Sequence, residues 1–153
     1  MVSIERSVSR NSEEKWGKLV AFARAHPIVA YDDDLKKEFV KVGRAGLKEL
    51  AQALESTKIV EKCEISYNKG GIAVSGDFHL RGDFKEGFSF DLFFNLDGFN
   101  SAICYRRTKG KTDYTGFDNR WLDWRNADLV NVARRIFLLE YKQQEEVLPQ
   151  GLT

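Results

Sequence analysis

The chain has 153 residues, 42% of them hydrophobic and 31% charged, as expected for one globular domain spanning residues 1–153. Its formal net charge of +1 provides no overall field toward nucleic acid or an anionic membrane, so such a role would need a local patch. Two cysteines are too few for a disulfide framework and fit a reducing cytoplasm. The first ten residues lack the apolar core of a secretory signal, and no apolar run approaches the ~20 residues of a membrane helix. We therefore expect a soluble, cytoplasmic protein with no membrane partner.

Two helices are predicted in the N-terminal third, after ten residues (1–10) that form an arm or a short strand. The first helix begins near Asn11 and ends at a His-Pro pair. The second begins at three consecutive aspartates, and its apolar stripe continues from about residue 33 to residue 55. Gly43 and Gly46 lower the helix propensity of its interior, which indicates that another backbone comes close there.

From residue 59 the hydrophobic period changes to two, which predicts four strands that share one buried face. The turn NKGG (68–71) and the hairpin signal Asp97-Gly98 join them into an antiparallel meander. The predicted pairs place Tyr67 opposite Ile72, Ile65 opposite Val74, Leu80 opposite Phe88, Phe78 opposite Phe90, and Leu92 opposite Ile103. Each pair keeps the apolar residues on the same face, and a slip by one residue would invert a strand.

A last helix is predicted from Asn126, followed by a polar tail that is flexible over residues 147–153. The predicted fold class is therefore α+β. A four- to five-stranded antiparallel meander sheet carries two N-terminal helices and one long C-terminal helix on its aromatic face.

The outward face of the predicted sheet holds one cluster of residues that could carry out chemistry. The predicted register puts Asp77 opposite Asp91 with His79 nearby, and two carboxylates beside an imidazole could bind a metal or act in acid–base catalysis. Lys62 and Arg106 flank the acids, however, and favour a solvated face of balanced charge. The cysteines and histidines lack the spacing of a zinc site. We therefore expect no catalytic residue, metal or cofactor, and keep an enzyme that uses the three residues as an alternative.

The segment from Cys104 to Asn126 concentrates basic and aromatic residues. Basic loops that carry aromatics bind phosphates and stack on bases, so the loop 106–111 predicts a nucleic-acid-binding protein as one alternative. Tryptophan and arginine are also enriched at protein-binding hot spots, although tryptophans just before a helix commonly fill the end of a core. The leading hypothesis is a non-enzymatic binding protein with a protein partner. Its candidate binding residues are Arg106, Arg107, Lys109, Lys111, Trp121 and Trp124.

The predicted order of strand, two helices, meander and C-terminal helix resembles the helix-grip ligand-binding family, of the START and Bet v 1 type. The stretch NSEEKWGKL (11–19) is similar to the first helix of that family, in which a tryptophan follows acidic residues. The resemblance implies a small apolar ligand in a pocket lined by Phe78, Phe90, Phe94 and Tyr105. The predicted second helix is longer than the short helices of that family.

Overall fold

The computed structural model describes residues 6, 8–27, 32–69, 74–96, 102–110, 113 and 116–139. They form three α-helices, one 3-10 turn and a five-stranded antiparallel sheet, which confirms the predicted α+β class. The elements are α1 (Arg10–Ala25), α2 (Asp33–Ser56), β1 (Val60–Asn68), β2 (Asp77–Phe84), β3 (Ser89–Phe94), β4 (Ala102–Thr108), β5 (Arg120–Asp123), the 3-10 turn (Trp124–Asn126) and α3 (Leu129–Leu138). None of the described helices is long and apolar enough to cross a bilayer. The predicted tail, Lys111, the Asp97-Gly98 turn and residues 1–5 and 7 of the predicted arm lie outside the described residues.

Each helix begins where a side chain caps its free amide groups. Ser9 accepts a hydrogen bond at 3.1 Å from the amide three residues ahead and starts α1. Asp32 accepts from two amides of the first turn of α2. Asp128 caps α3 in the same way, so this helix begins three residues after the predicted start at Asn126. The residues before the cap, 124–126, form the 3-10 turn instead.

The strands follow each other in the order β1-β2-β3-β4-β5, but all three predicted registers are wrong. Ile65 lies opposite Leu80 rather than Val74, a shift of six residues. Leu80 lies opposite Leu92 rather than Phe88, a shift of four. Leu92 lies opposite Tyr105 rather than Ile103, a shift of two. Every shift is even, so the apolar residues keep the predicted face while their partners change.

The connection between β2 and β3 is shorter than predicted. The predicted pairing of Leu80 with Phe88 would end the strand at Leu80, but β2 continues to Phe84. The Phe84 amide donates to the Phe88 carbonyl at 2.7 Å, and Gly87 takes a φ of 101°, which favours glycine. Because the strands turn at residues 85–87 and not directly after Leu80, each β2 residue pairs with a β3 residue four positions later than predicted.

The connection between β1 and β2 is longer than predicted. The hydroxyl of Tyr67 donates to the Ser75 carbonyl at 2.6 Å, and Gly76 next to it has a φ of 79°. The Ser75 hydroxyl in turn accepts from the Leu96 amide at 2.9 Å. Val74, predicted to point inward from a strand, therefore lies in a turn and is 40% exposed. Ile72, the other predicted partner, lies outside the described residues.

The core lies between the helices and one face of the sheet. Phe39 of α2 makes edge contacts with Phe78 and Phe94, at centroid distances of 5.3 and 6.1 Å. A Cβ at Gly43 would lie only 2.3 Å from the Phe78 ring, so the glycine admits this ring against the helix. The predicted close approach at this glycine is therefore made by an aromatic side chain rather than by another backbone. Face and helices together bury a continuous apolar cluster.

Candidate functional site

The outward sides of β2, β3, β4 and β5 form the second face of the sheet, which we call the open face. The ring contacts between the sheet and α2 lie on the opposite, inner face. A groove of about 260 Å³ crosses the open face and is lined by Asp77, His79, Asp91, Phe93, Asn95, Cys104, Arg106 and Asn119. Both charged and aromatic side chains are therefore presented on this side of the molecule.

Asp91 occupies a different environment from the predicted one. It is paired across the strands with Arg81 on one side and Arg106 on the other, and it is only 6% exposed. The Arg81 Nε atom lies 3.8 Å from Asp91 Oδ1. The predicted Asp77–Asp91 pair does not form, because Asp77 pairs with Asn68 on β1 and accepts a hydrogen bond from Asn95 at 2.8 Å. Like-charge repulsion between the two carboxylates is thereby avoided.

His79 approaches Asp91 without a hydrogen bond. Its Nδ1 atom is 3.7 Å from Asp91 Oδ1, beyond hydrogen-bond distance, and it has no hydrogen-bond partner among the described residues. Asp77 accepts a hydrogen bond from Asn95, and all three residues of the enzyme alternative line the groove of the open face. The described part of the chain also contains no group of three carboxylate, histidine or cysteine ligands that could hold a metal ion.

The two thiols are both less acidic than a free cysteine. Burial, with a contribution from Asp91, raises the pKa of Cys104 to about 11. Burial and the neighbouring Glu55 raise the pKa of Cys63 to about 12. A thiol of this kind is almost entirely protonated at neutral pH and is a poor nucleophile. Neither cysteine has the environment of a catalytic thiolate.

The two tryptophans of the candidate segment have separate positions. Trp124 is 3% exposed and packs edge-on against Phe94 at 5.2 Å, so it belongs to the core. Trp121 lies on β5 opposite Cys104 and is 51% exposed. Its ring makes an edge contact with Phe93 at 6.3 Å, and Phe93 stacks on His79 at 5.6 Å. The open face therefore carries an aromatic row that ends in an exposed indole.

The two arginines of the loop 106–111 are engaged within the chain. Arg106 donates to the Phe117 carbonyl and, at 3.1 Å, to Asn119 Oδ1. Arg107 is 7% exposed, with its guanidinium 3.9 Å from the Phe88 ring centroid and 5.4 Å from that of Phe117. Lys109 is exposed, and Lys111 lies outside the described residues. The sequence pattern of four adjacent charges therefore does not become a surface of four free cations.

The residues expected to line a helix-grip pocket are packed against one another or their neighbours. Phe78, Phe90 and Phe94 are at most 1% exposed and Tyr105 is 4% exposed, all within the core cluster. Phe78 stacks on Phe94 at 5.4 Å, so side chains fill the space that a ligand would need.

No family model, curated protein or solved structure matches this chain.

One surface was missed by sequence reasoning. Lys37, Lys41, Arg44 and Lys48 recur every three or four residues and lie exposed along one side of α2. This spacing is visible in the sequence, where it is also typical of an ordinary solvated helix. Only the packing of α1 beside α2 brings further lysines to the same side.

Proposed function

We propose that this chain is a non-enzymatic binding protein that docks a protein partner on its open face, with Trp121 as the anchor. The observation that carries the proposal is the 51% exposure of Trp121 beside Phe93 on a β-sheet surface. Burying an indole at an interface removes a large apolar area from water at a small cost in side-chain entropy. Tryptophan is accordingly among the residues most enriched at binding hot spots.

The surroundings of Trp121 also suit a protein interface. Asp123 and Arg125 form an exposed ion pair beside it, with the Arg125 Nη2 atom 2.9 Å from Asp123 Oδ2. Arg81, which is partly exposed, adds a further positive charge across the face. An aromatic centre with a mixed-charge rim is the usual composition of a protein-binding patch. We expect the partner to present an apolar pocket for the indole with polar groups around it.

The raised pKa values of both thiols and the hydrogen bond that engages Asp77 with Asn95 favour a binding role over an enzymatic one. The nucleic-acid alternative at loop 106–111 is weakened because Arg107 is buried between two rings and Arg106 is bonded to the chain. The protein-docking proposal does not require Arg106 or Arg107 to be free to bind phosphate.

The test begins with capture of partners from an extract of the native host by the tagged full chain. Trp121→Ala should lose one defined partner, whereas Leu138→Ala should retain it. Leu138 is the matched control because it is also an exposed apolar side chain, at 41%, but lies on α3. With the purified partner, a hot-spot loss of at least about 2 kcal/mol predicts affinity roughly thirtyfold weaker for Trp121→Ala.

Fluorescence quenching shows where the partner binds. The chain has three tryptophans, and Trp16 and Trp124 are only 1% and 3% exposed. Quenching by acrylamide therefore reports chiefly on Trp121, and binding of the partner should protect it. A partner that binds equally well to Trp121→Ala, or that leaves quenching unchanged, would contradict the proposal.

A further inference from the structure

The exposed side of α2 carries a stripe of positive charge. Lys37, Lys41, Arg44 and Lys48 follow each other at intervals of four, three and four residues, so all four lie on one side of the helix. At 1.5 Å per residue the stripe is about 16 Å long. Like charges at these spacings destabilise a helix, and packing does not require them, since the apolar side of α2 makes the core contacts.

Neighbouring elements extend the stripe into a surface. One groove lies between α1 and α2, with Lys15 and Lys18 on the wall opposite Lys41 and Lys48. An adjoining groove carries Lys69, beyond the end of β1. We call this surface the lysine face, and its cations are Lys15, Lys18, Lys36, Lys37, Lys41, Arg44, Lys48 and Lys69.

The lysine face holds most of the charge asymmetry of the chain. Its two grooves contain eight cations and three carboxylates, Asp33, Glu38 and Glu49, in a chain whose net charge is only +1. Glu49 is already engaged, since its Oε1 atom accepts from the Ser12 hydroxyl at 2.7 Å and its Oε2 atom lies 3.8 Å from Lys15 Nζ. The aspartates at the start of α2 adjoin one end of the face. A strong local positive field therefore coexists with a near-neutral molecule.

We propose that the lysine face binds the phosphate backbone of duplex nucleic acid without reading its sequence. Lysine is depleted at protein–protein interfaces, so seven lysines around one arginine suit phosphates better than a protein partner. Membrane insertion would need a free apolar helix side, but the apolar side of α2, including Phe39, Leu47 and Leu50, is buried in the core. The stripe of about 16 Å matches the rise of about five base pairs.

This site is separate from the proposed docking surface. The inner side of α2 packs on the inner face of the sheet, and its charged side points away from it. The lysine face and the open face therefore lie on opposite sides of the molecule, and both can be occupied at once. A protein partner on one side would be held next to nucleic acid on the other.

The experiment measures anisotropy of a labelled 20-base-pair DNA duplex titrated with the full chain at several salt concentrations. With about five cations engaged, the slope of log K against log salt should be about −4 to −5, from roughly −0.9 per contact. Replacing Lys37, Lys41 and Lys48 together with Gln should reduce the magnitude of that slope by about 2.7. Circular dichroism melts should show that this variant is folded, because all three side chains are exposed.

The matched control replaces Lys58, Lys62 and Lys85 with Gln, which changes the net charge equally at exposed positions away from the lysine face. It should bind the duplex with the slope of the natural chain, as should Trp121→Ala. The two proposals therefore fail independently.

Three results would overturn the lysine-face proposal. The first is no binding of duplex by 100 µM protein at low salt, and the second is equal loss of binding in the control and the lysine-face variant. The third is tighter binding to poly-glutamate or to phosphatidylserine vesicles than to the duplex at the same salt, which would assign the face to an acidic protein or to a membrane instead.

Discussion

The two buried tryptophans allow a direct comparison of a satisfied and an unsatisfied indole. The Nε1 atom of Trp16 donates to the Ala127 carbonyl at 2.6 Å, and both residues are at most 1% exposed. The Nε1 atom of Trp124 is buried and has no hydrogen-bond partner among the described residues. Trp16→Phe and Trp124→Phe remove the same atoms from the same core, but they should differ in their effect on stability.

The expected difference follows from the polar atoms alone. Trp16→Phe leaves the buried Ala127 carbonyl without this donor, which costs about 1–3 kcal/mol beyond the loss of packing. Trp124→Phe removes a buried donor that makes no bond, and the smaller ring can still contact Phe94. Trp16→Phe should therefore be the more destabilising substitution by about 1–3 kcal/mol, or roughly 2–12 °C in melting temperature for a chain of this size.

The assay is urea unfolding followed by far-ultraviolet circular dichroism, since the substitutions alter the fluorescence signal. Equal m-values would show that the midpoints report stability and not a change in the unfolded ensemble. Trp121→Phe is the control, and because the side chain is half exposed we expect a change within about 0.5 kcal/mol. The reasoning is refuted if Trp124→Phe lowers the unfolding free energy as much as Trp16→Phe does.

Three further comparisons test other parts of the structure. Arg107→Ala should cost about 2 kcal/mol by removing a desolvated cation–π contact, whereas Lys109→Ala should change the unfolding free energy by less than about 0.5 kcal/mol. Gly43→Ala should destabilise by about 1–3 kcal/mol through overpacking, whereas Gly17→Ala should stabilise by about 0.5–1 kcal/mol, since its added Cβ meets nothing within 4 Å. Alkylation of Cys104 at pH 8 should be at least about a hundredfold slower than in the unfolded chain, and should accelerate about tenfold per pH unit up to about pH 10.

Urea midpoints check the first two comparisons, and mass spectrometry of the alkylated chain checks the third. Equal costs for Arg107→Ala and Lys109→Ala would mean that the guanidinium is not held between the rings. A stabilising Gly43→Ala would contradict the close approach of the Phe78 ring. The raised pKa of Cys104 also makes the unfolding free energy depend on pH. Between about pH 9 and about pH 11 the folded chain retains a thiol proton that the unfolded chain loses, so the unfolding free energy should fall as pH rises through this range.

The sequence was sufficient for the three helices, for β1 to β4 and for the buried face of the sheet, but β5 (Arg120–Asp123) and the 3-10 turn after it were not predicted. Alternation alone marks Phe78, Leu80 and Leu92 as inward, and an even change of register leaves that assignment intact. The register itself depends on turn closure, and the β1–β2 and β2–β3 connections close differently from the predicted turns. Gly87 and the Tyr67–Ser75 hydrogen bond decide the pairing, and neither contact is encoded in the hydrophobic period.

The candidate site was less predictable, because charge and exposure depend on register and packing. The predicted register placed Asp91 opposite Asp77, but Asp91 lies between Arg81 and Arg106. Asp91→Lys should therefore destabilise the sheet by grouping three cations. Trp121 and Trp124 are three residues apart in the same segment, and only the change from strand to 3-10 turn separates an exposed indole from a buried one.

The contact between Gly43 and Phe78 has a consequence for the ancestry of the chain. A methyl group at residue 43 and a full aromatic ring at residue 78 cannot occupy the same space, since the Cβ would lie 2.3 Å from the ring. A diverging lineage would accept alanine at the first position at a lower cost in stability after, or together with, a smaller side chain at the second. The two positions should therefore vary as a pair, and this paired variation offers a signature by which distant relatives could be recognised when overall similarity has been lost.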